Sequence, residues 1–313
     1  MKFMDNLKNW KHDLVKNLKY YIIAPIAIIV LAIIMLCVNG LNLGIDFTGG
    51  TAVSVQFGSE ILEESKYNER VNEIQDVMDE YGLTIAMHQR MGEGEKAKLQ
   101  VRYQDLDGKT SSEMQDITEE LVVSLQAFYP DFNITNDNRI SASASAALLT
   151  NALLAVLIAI VLIVIYLAIR FKKFSFGICS IISLIHDVLI MCAFMLIFNL
   201  EINSTFIAAL ITIIGYSINS NVVIFDRLRE NLRLMPEASK AEVVNISIKQ
   251  SLTRTIVTTL TTFLIIFALL FIGIVGVTSF VLPIVVGLAS SFYSSVFVSS
   301  ALWAKINTAK EKK

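Results

Sequence analysis

Only three cysteines occur in 313 residues, Cys37, Cys179 and Cys192, each inside an apolar run, with no CxxC and no Cys/His spacing. That excludes a disulfide framework and a cysteine metal centre, and leaves them as small core residues. The stretch from Gly44 to Ser145 has no cysteine at all, so it must fold on an apolar core alone. It also lacks a Ser/His/Asp or Cys/His set, a phosphate-cradling glycine loop and any metal-ligand spacing. Its one histidine, His88, reads as a strand surface residue. An enzymatic function has no residues to carry it. No basic patch is present either, which excludes nucleic acid as a partner.

Apolar residues fill that space. They make up 54% of the chain, above the roughly 45–50% of soluble domains. The charges are segregated. Residues 44–145 hold 19 acidic and 8 basic side chains, and the rest of the chain holds 9 acidic and 18 basic ones. A membrane-spanning helix needs about 20 apolar residues. Six runs qualify: Tyr21–Leu41, Leu148–Ile169, Phe174–Phe198, Thr205–Phe225, Ile256–Val275 and Thr278–Trp303, the last two parted by a break centred on Gly276.

Lys and Arg near span ends stay on the cytoplasmic side. Lys2, Lys8, Lys11, Lys16 and Lys19 precede the first span and put the N-terminus inside. Alternation then brings Arg170, Lys172 and Lys173 to the same side, followed by Arg227, Arg229, Arg233, Lys240 and Lys249, and finally Lys305, Lys310, Lys312 and Lys313. Five spans would strand the last group outside. The first run is longer than a signal-peptide core and lacks a small-residue cleavage site, and Leu36 before Cys37 is too bulky for a lipoprotein signal, so it is expected to remain as an anchor.

The expected organisation is a cytoplasmic N-terminus over 1–20, a first transmembrane helix over 21–43, an extracytoplasmic α+β domain over 44–145, five helices within 146–304 with a cytoplasmic loop at about 226–252, and a cytoplasmic tail over 305–313. The fold class is an α-helical polytopic membrane protein with six transmembrane helices. Within the domain, period-2 runs at Thr51–Phe57, Thr84–Arg90 and Leu99–Tyr103 predict strands, and Tyr67–Tyr81 and Ser112–Phe128 carry helical periodicity. Gly92 and Gly94 mark a hairpin, and a short strand around Phe132–Thr135 completes a ferredoxin-like βαββαβ order.

A strongly polar residue inside a span is a functional candidate. Asp187 follows His186 in the third span, Gly215–Asn221 is polar in the fourth, and Arg254 lies in the fifth. At about 100° per residue, Ser247, Gln250, Ser251, Arg254, Thr258, Thr261 and Thr262 share a narrow arc that suits a hydrated path. In the fourth span Thr212, Gly215, Ser217, Asn219, Ser220 and Asn221 spread over more than half the circumference, so some must bond across to other helices or back to carbonyls. Each also has a plainer role: Arg254 reaching toward headgroups, Asp187 bonding His186 or a neighbouring helix.

Gly44-Ile-Asp-Phe-Thr-Gly-Gly-Thr51, with Asp46, Gly49 and Gly50, together with Leu184–Val188, Ile214–Asn219, Val222–Asn231 with Asp226, Arg227 and Arg229, and Thr253–Thr255, resembles the SecF branch of the SecD/SecF protein-export family. The resemblance runs through the whole chain in order. It implies a subunit with no cofactor other than a coupling ion, proton or sodium, in the bacterial cytoplasmic membrane. Its partners would be a SecD-like subunit, the SecYEG channel, the SecA motor, unfolded exported proteins and membrane lipid. The superfamily is that of the resistance-nodulation-division exporters, so a stand-alone small-molecule exporter and a non-conducting scaffold are the competing functions. Such exporters have about twice the spans.

The chain departs from the family's fourth-span pattern Ser-x-Asn-Asp: the acidic position is Ser220, which cannot carry a proton reversibly near neutral pH. Three options stay open. A carboxylate on the SecD-like partner does the coupling alone, Asp187 substitutes, or Asn219, Ser220 and Asn221 together bind sodium.

Overall fold

The computed structural model describes residues 13–311 except 93, 107, 172 and 272–274. Lys2, Lys8, Lys11, Lys172, Lys312 and Lys313, used above for orientation, lie outside the described residues. The chain forms two compact units, Leu43–Leu153 and a helical unit of Met1–Asn42 with Leu154–Lys313.

The helical elements are α1 (Leu18–Asn39), α4 (Ala142–Arg170), α5 (Phe174–Ile197), α6 (Ser204–Leu234), α7 (Lys240–Phe271), α8 (Val275–Tyr293), a π-helical segment Ser294–Ser299, and α9 (Ser300–Glu311). Six helices among the described residues, with α8 to α9 counted as one, are long and apolar enough to cross a membrane. Gly40, at φ 71°, ends α1 by donating its N–H to the Leu36 carbonyl. The Asn203 side chain accepts from the Phe206 N–H at 3.1 Å and starts α6.

Burial sorts these helices. α4 exposes Leu153, Leu157, Leu162 and Ile165, an apolar face that only lipid or another apolar chain would cover, whereas α6 buries Ala209, Ile213, Ser217, Ile224 and Leu228 against its neighbours. Gly287 of α8 makes that close approach possible: a Cβ there would sit 2.5 Å from Ile213 Cγ1 and 2.8 Å from Met191 Sδ. Trp303 stacks on Phe176 with centroids 4.9 Å apart and donates to Ser175 Oγ at 3.0 Å, fastening α9 to α5.

Two connections differ from the sequence expectation. The segment at about 226–252 is mostly helix, because α6 continues to Leu234 and α7 begins at Lys240. Val243, Val244, Ile248 and Leu252 are buried there, and Asn231 Nδ2 donates to Ser247 Oγ at 2.9 Å and Gln250 Oε1 at 2.7 Å, so packing carries both helices past their apolar runs. Gly276, expected at a break, sits in the first turn of α8; residues 272–274, which separate α7 from α8, lie outside the described residues.

The second unit orders its elements as β1 (Gly50–Gln56), α2 (Glu64–Asp79), β2 (Met87–Met91), β3 (Lys98–Tyr103), α3 (Ser111–Phe128) and β4 (Asn133–Ile140). The strands form one antiparallel sheet in the order β2-β3-β1-β4. This is the expected βαββαβ succession in split-βαβ order. Val53, Val55, Leu99, Val101 and Tyr103 pack against Ile74, Met78, Met114, Leu121 and Leu125 of the two helices. A capping box between Thr110 and Glu113 starts α3.

Two strand boundaries move. β2 begins at Met87 rather than Thr84, because the Ile85 N–H donates to Gln75 Oε1 of α2 at 2.9 Å and leaves the ladder. β4 runs to Ile140 rather than stopping near Thr135, held by pairing with β1 to Gly50↔Ile140 across a register shift at Ala52/Val53.

The glycine signature is structural here. A single helical turn, Ile45–Thr48, leads into Gly49 and Gly50, with φ 73° and 109°, and a Cβ on Gly50 would lie 2.4 Å from the Tyr103 carbonyl oxygen. Gly50→Ala is therefore expected to destabilise the sheet by at least about 2 kcal/mol. Hydrogen exchange of the β1 and β3 amides in the full chain would show faster exchange; unchanged protection would contradict the clash.

Arg70 ties α2 to the sheet end. Its guanidinium lies 5.3 Å from the Phe57 centroid and 5.6 Å from that of Tyr129, and it donates to Glu60 and Glu73, each at 2.7 Å. Burial acts to raise the Glu73 carboxyl, but hydrogen bonds from the Tyr129 hydroxyl, at 2.6 Å, and Arg70 outweigh it and hold Glu73 below its ordinary range. A depressed folded value stabilises the domain above the ordinary carboxyl pKa, and that stability is lost as pH falls through the folded value. Amide protection of α2 should thus fall on acidification below the ordinary carboxyl range. Glu73→Gln should lower protection at neutral pH and flatten the profile; an unaltered profile would count against the linkage.

Candidate functional site

The polar candidates of the spans divide into two places. The first is a cleft between α6 and α7 of about 60 Å³, lined by Tyr216, Asn219, Ser220, Val223, Arg254, Thr255, Thr258 and Thr259. Four sequence candidates meet here: Asn219, Ser220, Arg254 and Thr258. Asn219, Arg254 and Thr258 are exposed, and Ser220 is buried at the cleft floor. The Tyr216 hydroxyl donates to Thr259 Oγ1 at 3.2 Å and closes one side. Thr258 donates to the Arg254 carbonyl at 2.8 Å, so its hydroxyl is already committed along its own helix. The Arg254 guanidinium makes no hydrogen bond or ion pair among the described residues, and no carboxylate lines the cleft.

The expected polar stripe of α7 is not one continuous surface. Of its members Ser247 and Ser251 are buried, Thr262 is half-buried, and Gln250, Arg254, Thr258 and Thr261 are exposed; Thr255 and Thr259, outside the expected arc, continue the buried row. Gln250 is taken up by Arg227 Nε, which donates to it at 2.7 Å, and by Asn231. Ladder spacing of four residues, not the full arc, decides which side chains turn inward.

The second place surrounds Asp187, which is completely buried. Oδ1 lies 3.0 Å from His186 Nδ1 and accepts from Ser290 Oγ at 2.7 Å; Oδ2 accepts from Ser217 at 2.6 Å and Ser294 at 3.0 Å. Three helical elements, α5, α6 and the α8–π junction, thus meet on one carboxyl. Asn221 belongs to this side. Its Nδ2 donates to Ser183 Oγ at 3.1 Å and to the Ser217 carbonyl at 3.0 Å. The structure therefore does not bring Asn219, Ser220 and Asn221 together: Asn221 follows Ser220 by one residue, which turns its side chain off the cleft and into the bundle. A 3.4 Å hydrogen bond from Ser291 Oγ to Ser220 Oγ links the two places.

Sequence reasoning missed the serines of α8. Ser290 and Ser294 recur four residues apart, a spacing that places both on one face, and both reach Asp187. That spacing, set against the lone acid of the third span, was the available signal.

The remaining signature residues serve the helix ends. Asp226 pairs with Arg170 of α4 and lies 3.9 Å from Arg229; Arg227 pairs with Glu230 at 2.5 Å. Gly215 is exposed, and a Cβ there would meet nothing within 4 Å, so packing within this chain does not demand glycine. Asp46 is half-buried in the first turn of Ile45–Thr48.

Comparison with known proteins fits this arrangement. Residues 120–309 match the family described as protein export membrane protein SecD/SecF, C-terminal, and residues 34–60 match the SecD/SecF GG motif. The chain belongs to the SecD/SecF family. The protein translocase subunit SecF of Petrotoga mobilis is 31% identical over 93% of this chain and 94% of its own length. The protein translocase subunit SecDF of Bacillus subtilis is 33% identical over 94% of this chain, which spans 38% of that longer protein. The crystal structure of SecDF from Thermus thermophilus, described as a translocon-associated membrane protein, superposes with a TM-score of 0.80 at 32% identity, covering 98% of this chain and 39% of the other. As a member of the SecD/SecF family with six apolar helices, the chain is an integral membrane protein. The GG motif coincides with the tight Gly49–Gly50 passage, and the C-terminal match contains both polar places.

Proposed function

We propose that the chain is an accessory subunit of a protein-export translocase that acts without covalent chemistry, pairing with a SecD-like subunit and using an ion gradient to complete translocation of unfolded chains. The observation that carries this reading is Arg254, a cation without a counter-charge among the described residues, in a cleft whose other lining groups are neutral. An arginine at membrane depth is costly unless paired or hydrated. A carboxylate from the SecD-like helices would supply the missing charge, and its occupancy by the coupling ion would switch the pairing on and off. Ser220 supports this division of labour, since the cleft offers no group of its own that exchanges a proton near neutral pH.

In this reading the α+β domain over residues 44–145 lies outside the bacterial cytoplasmic membrane and both termini lie inside. Lys16, Lys19, Arg170, Lys173, Arg233, Lys240 and Lys305 then share the cytoplasmic side. The SecYEG channel and the SecA motor would be neighbours in the same assembly, and the exterior unit would meet the emerging chain.

A scaffold without ion coupling is the second reading, and the absence of a carboxylate from the cleft favours it. The test is export of a secretory precursor into inverted membrane vesicles from cells depleted of this chain. Export that recovers on re-supply and collapses when the ion gradient is discharged supports the coupled subunit. Recovery indifferent to the gradient overturns it in favour of the scaffold.

A further inference from the structure

We propose that the Asp187 carboxylate, with the oxygens of Ser183, Ser217, Ser294 and Asn221, forms a binding site for a compact monovalent cation, sodium, in the core of the helical unit. The site is distinct from the Arg254 cleft and belongs to this chain alone.

Asp187 is completely buried, no Lys or Arg pairs with it among the described residues, and its one ionisable neighbour is the His186 ring, whose Nδ1 lies 3.0 Å from Oδ1. Hydroxyl donors lower the cost of burying a carboxylate but bring no charge, so on the Oδ2 side, away from His186, a cation would complete its neutralisation. The two carboxyl oxygens have different surroundings. Oδ1 is oriented by His186 and Ser290, whereas Oδ2 faces a chain of oxygens: Ser217 Oγ at 2.6 Å, Ser294 Oγ at 3.0 Å, and Ser183 Oγ a further 2.8 Å from Ser294. Asn221, 1% exposed, uses its amide hydrogens on Ser183 and the Ser217 carbonyl, and its Oδ1 has no hydrogen-bond partner. A buried acceptor without a donor is rare enough to need an explanation, and a cation is one.

Hydroxyl, amide and carboxylate oxygens are hard ligands, suited to hard cations and not to transition metals. One carboxylate balances one positive charge; a divalent ion would leave an excess charge in an apolar bundle. The oxygens already lie within hydrogen-bond distance of one another, which suits a small ion. On binding, the hydroxyl protons must turn away from Oδ2, and serines in helices have a ready acceptor in preceding carbonyls. Ser294 shows it, with the Ser291 carbonyl 3.3 Å away. The regular helix also gives way to the π segment at Ser294, and such segments are frequent at functional sites.

The test is binding of radioactive sodium to the purified full chain in lipid nanodiscs, with choline chloride holding the ionic strength, beside the thermal midpoint in sodium and in choline. Saturable binding near one ion per chain and a midpoint raised by sodium are expected. Ser217→Ala and Asn221→Leu should weaken binding at least ten-fold, and Asp187→Asn should abolish it. Ser217→Ala keeps the question answerable if Asp187→Asn does not fold. No saturable sodium binding, or binding unaffected by Ser217→Ala and Asn221→Leu, would overturn the proposal. Because the chain is assayed alone, either result is independent of whether a SecD-like partner exists.

Discussion

Arg254→Ala should cut gradient-driven export at least about 5-fold while leaving the chain folded and its complex intact. The Arg254 side chain is exposed at the cleft and makes no hydrogen bond or ion pair among the described residues, so its removal leaves no buried group unsatisfied. On the proposed reading it removes the positive charge through which a partner's carboxylate would sense ion occupancy. Coupling energies between sites typically amount to about 1–3 kcal/mol, or roughly 5–150-fold in the coupled equilibrium. Arg254→Lys should retain part of the effect, because charge persists while the planar fork is lost. The measurement is the rate of precursor export in vesicles with and without an imposed gradient. A rate equal to wild type in an intact complex would show that Arg254 does no more than reach toward headgroups.

Asp187→Ala is expected to lower stability by about 2–4 kcal/mol, the largest loss foreseen for a single side chain in the helical unit. The change strips an acceptor from Ser217, Ser290 and Ser294 and from the His186 ring together. Each buried donor left unpaired costs about 1–3 kcal/mol. The sum is not reached, because the serine hydroxyls can turn to carbonyls of their own helices. His186 is left with less: its Nε2 is buried without a hydrogen-bond partner, and beyond the carboxyl its Nδ1 has only Ser290 Oγ, 3.5 Å away. Thermal unfolding in detergent at fixed sodium concentration checks this. A midpoint unchanged from wild type would mean that the junction of α5, α6 and α8 is held by apolar packing alone.

The contrast between these two substitutions explains what the sequence could disclose. Spans were legible because about 20 apolar residues in a row have few other fates, and the basic residues at their ends added an independent constraint. The domain order was legible because periods of 2 and 3.6 alternate cleanly through Val53, Val55, Ile74, Met78, Leu99 and Val101. The second half of β4 was not, since Asn136, Asp137 and Asn138 have low strand propensity; Asn136 and Asn138 are placed by pairing with β1, and Asp137 falls at the register shift between them. Arg254, Asn219 and Ser220 were found as polar residues at membrane depth, and the cleft joins them. Asn221 was grouped with them by adjacency in the chain, yet one residue of helix is a turn of about 100°, and it faces Ser183 instead. Ser290 and Ser294 went unseen because serine in an apolar helix is ordinarily a packing residue. Only the partner across the bundle, Asp187, gives them a further role.

The most direct test of the central claim is purification of the tagged chain from its native membrane in mild detergent, followed by mass spectrometry of what stays bound. Recovery of a SecD-like protein in a fixed ratio, cross-linkable to a cysteine placed at Asn219 beside Arg254, is the result expected of an export subunit whose cleft receives a partner's carboxylate. Recovery of this chain alone, in symmetric multimers, would contradict it.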